Sequence, residues 1–180
     1  IGTFDGVHLG HQAVIDDADT VLTFEPHPLT VIHPEAAPKL IMPFKVKRDV
    51  LDGLGVKELV VIPFDKEFSQ RSAEDFIEHV LIEKLNAKRV SVGENFRFGT
   101  KAKGDVRMLA ADDRFETRVV PLVEVDGETV SSTRIRALVE VGDVETAMRC
   151  LAAPFLYEGM VVGEAAKPGS YTSLKGPDRA

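Results

Sequence analysis

Short apolar runs alternate with helical periods along this chain, and that alternation restricts the folds open to it more than any other feature. Val21-Leu22-Thr23-Phe24, Leu59-Val60-Val61-Ile62, Val90-Ser91-Val92 and Arg118-Val119-Val120 are too brief for helices and rich in β-branched side chains. Between them, Lys45 to Leu54 sets Val46, Val50, Leu51 and Leu54 on one stripe, with Gly55 as a stop signal. Ser72 is placed as a helix cap followed by acidic first-turn residues, and Phe76, Ile77, Val80, Leu81 and Leu85 then form a buried face. Unbroken apolar strands alternating with helices predict an α/β fold with a parallel sheet covered on both faces. Ligands of such sheets bind beyond the carboxyl ends of the strands.

The chain's 180 residues suffice for one well-buried domain with a short appendage. A formal charge of -7 argues against broad nucleic-acid or anionic-membrane binding, although a few cations gathered in one cleft still suit a nucleotide. The single cysteine, Cys150, excludes an internal disulfide and falls in a helical pattern as a small core residue. No signal peptide or membrane-length apolar run is visible, so the expected compartment is the cytoplasm. Thr133 to Glu140 and Val144 to Leu151 predict two helices, the second capped by Asp143, and Phe155 to Val162 is expected to open a strand of something else.

Four segments carry chemistry. Ile1 to His11, IGTFDGVHLGH, reads as a strand end, a turn at Asp5-Gly6 and a helix start, which aims free N–H groups at a ligand above the sheet. Gly10 lets a phosphate approach the backbone, and His8 and His11 can lie side by side against its oxygens. Thr23-Phe24-Glu25-Pro26-His27-Pro28 leaves a strand through a proline-stiffened, extended exit that suits a flat ligand or is simply a loop. In Gly93-Glu94-Asn95-Phe96-Arg97-Phe98-Gly99, Asn95 and Arg97 offer phosphate or ring contacts, while one phenylalanine packs underneath. Ser131-Ser132-Thr133-Arg134-Ile135-Arg136 supplies a helix cap and a second anion site; Ile135 faces the core, so Arg134 and Arg136 cannot both share its face.

In the order GTFDGVHLGH, TFEPHP, GENFRFG and VSSTRIR, these segments resemble the bacterial FAD synthetase family, specifically its FMN adenylyltransferase module among the HxGH nucleotidyltransferases. The resemblance implies a Rossmann-like sheet that binds ATP and FMN with Mg2+ and forms FAD and pyrophosphate. It implies that His8 and His11 contact ATP phosphates, that Gly10 admits them, and that Asn95 sits where the two substrates meet. Ser132, Thr133 and Arg134 would hold the β/γ end of ATP, Pro26 and Pro28 would border the nucleotide–flavin cleft, and Gly2, Phe4, Gly6 and Gly93 are carried over as nucleotide-binding positions. It implies no protein metal ligand; Asp5 is left between an outer-shell role toward Mg2+ and a turn cap. The domain is placed at residues 1–154. Residues 155–180 resemble the entry of a riboflavin kinase barrel, with riboflavin as its substrate, but lack that barrel's expected phosphate loop and Pro-Thr-Ala-Asn motif. The connection from Gln12 to Thr20 is shorter than the family's, and so is Gly99 to Gly104.

Three other functions are compatible with parts of this pattern. Another HxGH adenylyltransferase would act on nicotinate mononucleotide or phosphopantetheine, which TFEPHP and GENFRFG disfavour. A metal protein would use His8, His11, His27 and His33, whose spacing matches no zinc site. A non-catalytic nucleotide or flavin sensor would keep ATP binding and lose turnover.

Overall fold

The computed structural model describes residues 1–152. Its elements run α1 (Leu9–Ile15), β1 (Thr20–Glu25), α2 (Pro28–Ile32), α3 (Phe44–Gly53), β2 (Glu58–Pro63), α4 (Ala73–Asp75), β3 (Arg89–Gly93), β4 (Arg97–Phe98), β5 (Gly104–Asp105), α5 (Val106–Ala110), β6 (Glu116–Val120), β7 (Glu124–Val125), β8 (Glu128–Thr129), α6 (Ser132–Glu140) and α7 (Val144–Leu151). All four strands expected from the apolar runs form, and they pair in parallel: β1 with β2, Val21 opposite Leu59, and β3 with β6, Val90 opposite Thr117. The first residues of the chain join the two pairs. Gly2 N–H donates to the Leu22 carbonyl at 3.1 Å, and the Ile1 nitrogen donates to the Ser91 carbonyl at 3.0 Å.

Strand β1 shows why the fold is doubly covered. Val21, Leu22, Thr23 and Phe24 are all buried, and successive side chains of a strand point to opposite faces. Leu22 and Phe24 pack with Val90, Val92, Phe76 and Val80 on one face. Val21 packs with Phe4, Val14, Ile15 and Leu51 on the other, beneath α1 and α3. A third cluster, Ile41, Val130, Ile135, Ala147, Cys150 and Leu151, seats α6 and α7 beside the end of the sheet.

The helix expected after Ser72 starts as predicted, with the Ser72 hydroxyl accepting from Asp75 N–H at 3.0 Å. It then widens into a π-helical run over Phe76–Lys84, and Leu85 N–H reaches back five residues to Val80 at 3.1 Å. Phe76, Val80, Leu81 and Leu85 are spaced four or five apart, so wider turns keep them on one line against the sheet. The structure also departs from the expected proline loop after β1: Pro28 begins α2 directly, at the first-turn position where its missing N–H costs nothing. The small antiparallel pairs β4–β5 and β7–β8 were not legible, being two residues per strand. The short link between α1 and β1 is pinned where Arg89 donates to the Asp17 carbonyl at 2.6 Å and Arg118 to the Asp16 carbonyl at 2.5 Å. The strand expected from Phe155, and the segment 155–180, lie outside the described residues.

Gly99 fixes the loop after β3 against α4. It adopts φ +71, and a Cβ there would stand 2.6 Å from the Ala73 backbone nitrogen. Gly99→Ala is therefore expected to destabilise the protein by about 1–3 kcal/mol. Urea unfolding reads this as a lower midpoint at unchanged slope, and a midpoint equal to the wild type would contradict the packing described.

Candidate functional site

The chain turns sharply at the carboxyl end of the sheet. Phe4 and Val7 both have positive φ, 51° and 41°, and Gly6 between them has φ 90°. Positive φ is rare outside glycine and strained for a β-branched residue such as Val7, so the surroundings must hold the turn in place. They do so largely through Asp5, whose side chain is buried. Its Oδ1 accepts the Ile41 N–H at 2.9 Å, its Oδ2 pairs with the Arg136 guanidinium, and its backbone carbonyl accepts the Ser132 hydroxyl at 2.8 Å. The Gln12 side chain adds a second tie, donating to the Val7 carbonyl at 2.9 Å and the Leu151 carbonyl at 3.0 Å.

This turn delivers the two histidines as a stacked pair. The His8 and His11 rings lie 3.6 Å apart at 16°, and His11 meets the Phe4 ring edge-on at 5.2 Å. His8 is the cap of α1: its Nδ1 accepts the His11 backbone N–H at 3.3 Å. An Nδ1 that accepts carries no proton, so the neutral ring bears its proton on Nε2 and offers a donor there. Burial pushes the His8 pKa down to about 4. His11 is held well below the ordinary range, first by burial and then by the charges of His8 and Lys47. His11 Nδ1 is buried without a hydrogen-bond partner among the described residues, a cost that a polar ligand atom would remove. Gly10 supports the stack, since a Cβ there would stand 3.2 Å from the His8 ring.

Around the pair, the expected residues divide. Ser131, not Ser132 or Thr133, caps α6 by accepting the Arg134 N–H at 3.1 Å. Ser132 is tied to the turn through Asp5, and Thr133 is exposed. Arg134 faces the β7–β8 hairpin, donating to the carbonyls of Val125 (3.0 Å) and Glu128 (2.8 Å). Its Nε stands 3.0 Å from the Glu128 carboxylate, an ion-pair contact not aligned as a hydrogen bond. Arg136 is the arginine that reaches the turn, bonding Asp5 and the Lys39 carbonyl (2.7 Å). Gly2 lies beneath the Phe4 ring, 3.2 Å from where its Cβ would be, and a Cβ on Gly6 would meet Ile41 at 3.0 Å.

At the end of β1, Pro26 is exposed and follows a cis peptide bond, while His27 caps α2 by accepting the Leu29 N–H at 3.2 Å. His27 is drawn below its usual pKa chiefly by burial, with Asp5, Arg136 and Lys47 all within electrostatic reach. At the end of β3, Asn95 is exposed and folds back over Gly93, its Oδ1 3.3 Å from the missing Cβ. Phe98 packs underneath with Phe96 stacked on it at 5.6 Å, whereas Arg97 turns away to Asp105 at 3.4 Å.

One site group inside the first motif has a larger part than expected, and another lies outside the motifs. Asp5 is the hub rather than a simple turn residue, and Lys47 is a buried lysine whose Nζ donates to the Thr3 carbonyl at 3.1 Å. The sequence held a signal for the second: Lys47 lies four residues before Leu51 and seven before Leu54, on the apolar stripe of α3. A separate cavity of about 610 Å3 opens at the opposite ends of the strands, lined by residues such as Val14, Lys57, Leu85 and Arg89 and by no histidine.

The family model for FAD synthetase matches residues 1–134. The bifunctional riboflavin kinase/FMN adenylyltransferase of Listeria monocytogenes is 35% identical over 175 residues, covering 90% of this chain and 55% of that protein. The Bacillus subtilis protein of the same name is 35% identical over 176 residues, with the same coverage. The chain thus spans about half the length of the curated relatives it matches. A crystal structure described as a macrolide-efflux protein from Streptococcus pneumoniae superposes with a TM-score of 0.79 at 30% identity, over 93% of this chain and 58% of that one. Among the described residues, no helix is long and apolar enough to cross a membrane.

The depressed His8 pKa has a consequence for stability. Unfolding restores an ordinary imidazole near 6.5, so the unfolded chain takes up a proton that the folded one refuses. Stability is full above pH 6.5 and falls as pH drops toward about 4, by roughly 3 kcal/mol for this group. Denaturant melts from pH 7 to 4 should show the loss, made shallower by His8→Gln; identical slopes in both proteins would contradict a buried neutral His8.

Proposed function

The chain belongs to the FAD synthetase family, and from that premise we propose that its residues 1–154 transfer AMP from ATP to FMN, giving FAD and pyrophosphate. The observation that carries this is the stacked His8–His11 pair at the carboxyl end of the parallel sheet, with a buried His11 nitrogen that has no hydrogen-bond partner among the described residues. Neutral imidazoles offer hydrogen-bond donors to phosphate oxygens without first being stripped of counter-ions. In the proposed reaction an FMN phosphate oxygen attacks the α-phosphorus in line, and the bond to the bridging oxygen of the β-phosphate breaks. The attacking phosphate is already anionic at neutral pH, so no general base is required, and catalysis rests on positioning and charge stabilisation.

His8 and His11 are assigned to the ATP phosphates and Asn95 to the junction of the two substrates. Ser132, Thr133 and Arg134 are assigned to the β/γ end, Pro26 and Pro28 to the flavin cleft, and Gly2, Phe4, Gly6, Gly10 and Gly93 to close backbone approach. Arg134 bonds the hairpin carbonyls through Nη1, so its part at the β/γ end falls to its other N–H groups or requires those bonds to be released. Mg2+ enters with ATP as part of the substrate. Among the described residues no cluster of carboxylates, histidines and cysteines fits a resident ion, and Asp5 and Glu25 face Arg136 and Lys47. The whole protein is proposed to act in the cytoplasm, and to phosphorylate riboflavin to FMN where it carries a complete kinase domain; residues 155–180 by themselves lack that domain's phosphate loop and Pro-Thr-Ala-Asn motif.

Incubation with FMN, ATP and Mg2+ should yield FAD and pyrophosphate by chromatography. His8→Ala and His11→Ala, if folded, should each lose about one to two orders of magnitude in turnover, the value of a charge-assisted hydrogen bond. Folded wild-type protein that binds ATP yet forms no FAD would overturn the assignment in favour of a sensor, and a product with nicotinate mononucleotide or phosphopantetheine would redirect it.

A further inference from the structure

We propose that Lys47 is a substrate-contacting cation placed between the two reacting phosphates, an inference that rests on the adenylyl transfer proposed above. Lys47 belongs to α3, outside all four motifs, and only 7% of its surface is exposed. Its Nζ donates to the Thr3 carbonyl at 3.1 Å, an oxygen that also accepts the Thr23 hydroxyl at 3.2 Å. The Glu25 carboxylate stands 4.0 Å away, and the Phe44 ring centre lies 5.3 Å from the ammonium.

These contacts locate the ammonium on a seam. Thr3 leads into the turn that carries His8 and His11, whereas Glu25 immediately precedes Pro26 and His27. One loop is assigned to ATP and the other to the flavin substrate, so a group touching both stands where their phosphates must meet. Bringing an anionic nucleophile to an anionic phosphorus is opposed by charge repulsion, and a cation fixed in advance offsets it without reorganising during the reaction. An ammonium has three N–H donors, and Thr3 engages one. Burial lowers the Lys47 pKa, opposed by Glu25 and Asp5, and a bound phosphate would oppose it further. A lysine that merely stapled Thr3 to α3 would serve stability alone.

The test compares wild type with Lys47→Met in the FMN, ATP and Mg2+ assay, with thermal melting alongside. The expected result is a folded variant whose kcat falls about 10- to 100-fold while KM for ATP and for FMN moves less than about threefold. A folded variant with kcat within about threefold of wild type overturns the proposal. A wild-type protein that forms no FAD overturns the activity itself, which is a separate result. If Lys47→Met does not fold, the wild-type ammonium resonance, identified by its loss in Lys47→Arg, is followed by NMR. It should shift when FMN and a non-hydrolysable α,β-methylene ATP are added together; an unmoved resonance overturns the proposal.

Discussion

Asp5, through its buried carboxylate and its backbone carbonyl, ties together the first turn, the Lys39–Ile41 loop and α6. It accepts the Ile41 N–H, pairs with Arg136 on α6, and through its own carbonyl receives the Ser132 hydroxyl. Removing one partner of such a buried pair costs about 3–5 kcal/mol, because the other charge is left unpaired. That cohesion is what a turn with positive φ at Phe4 and Val7 requires, since both residues would relax to extended backbone if released. The geometry of the site follows from the turn: the His8 Nδ1 at the start of α1, the stacking of His11 on His8, and the edge-on contact of His11 with Phe4.

The stacked imidazoles are stable together only when both are uncharged. Two cations at 3.6 Å would repel, and burial disfavours either charge. The free protein therefore holds a pair of neutral rings, one with a buried nitrogen that nothing in the described residues satisfies. A phosphate ligand reverses both terms, supplying the missing partner and favouring protons on the rings. Around the pair, Arg136, Arg134 and Glu25 each have protein partners in the free protein, while Lys47 spends one of its three N–H donors on the Thr3 carbonyl.

Much of the fold was legible because it follows from periodicity. Four short β-branched runs became four parallel strands, and Val21 to Phe24 were recognisable as buried on both faces. The π-helical widening at Phe76–Lys84 was hidden, because four-residue and five-residue spacings of apolar side chains fit both kinds of helix over so short a stretch. The histidine pair was placed side by side from its three-residue spacing, and the rings are stacked. The partners of the two arginines were not legible. Whether Arg134 or Arg136 reaches the turn depends on the β7–β8 hairpin and the Lys39–Ile41 loop, which are tertiary contacts with no local pattern. The reason for Gly10 also differs in emphasis: in the free protein its missing side chain makes room for the His8 ring.

On the proposed function, the Asp5-braced turn holds His8 and His11 neutral until a nucleotide phosphate arrives. Histidine-selective 15N NMR, titrated over pH with and without α,β-methylene ATP, tests it most directly. In the free protein His8 is expected to protonate near 4, with its proton on Nε2 above that, and His11 to stay neutral well below the ordinary imidazole range. Both titrations should move upward when the nucleotide is added. Rings that titrate at an ordinary 6.5, or that ignore the nucleotide, would contradict it.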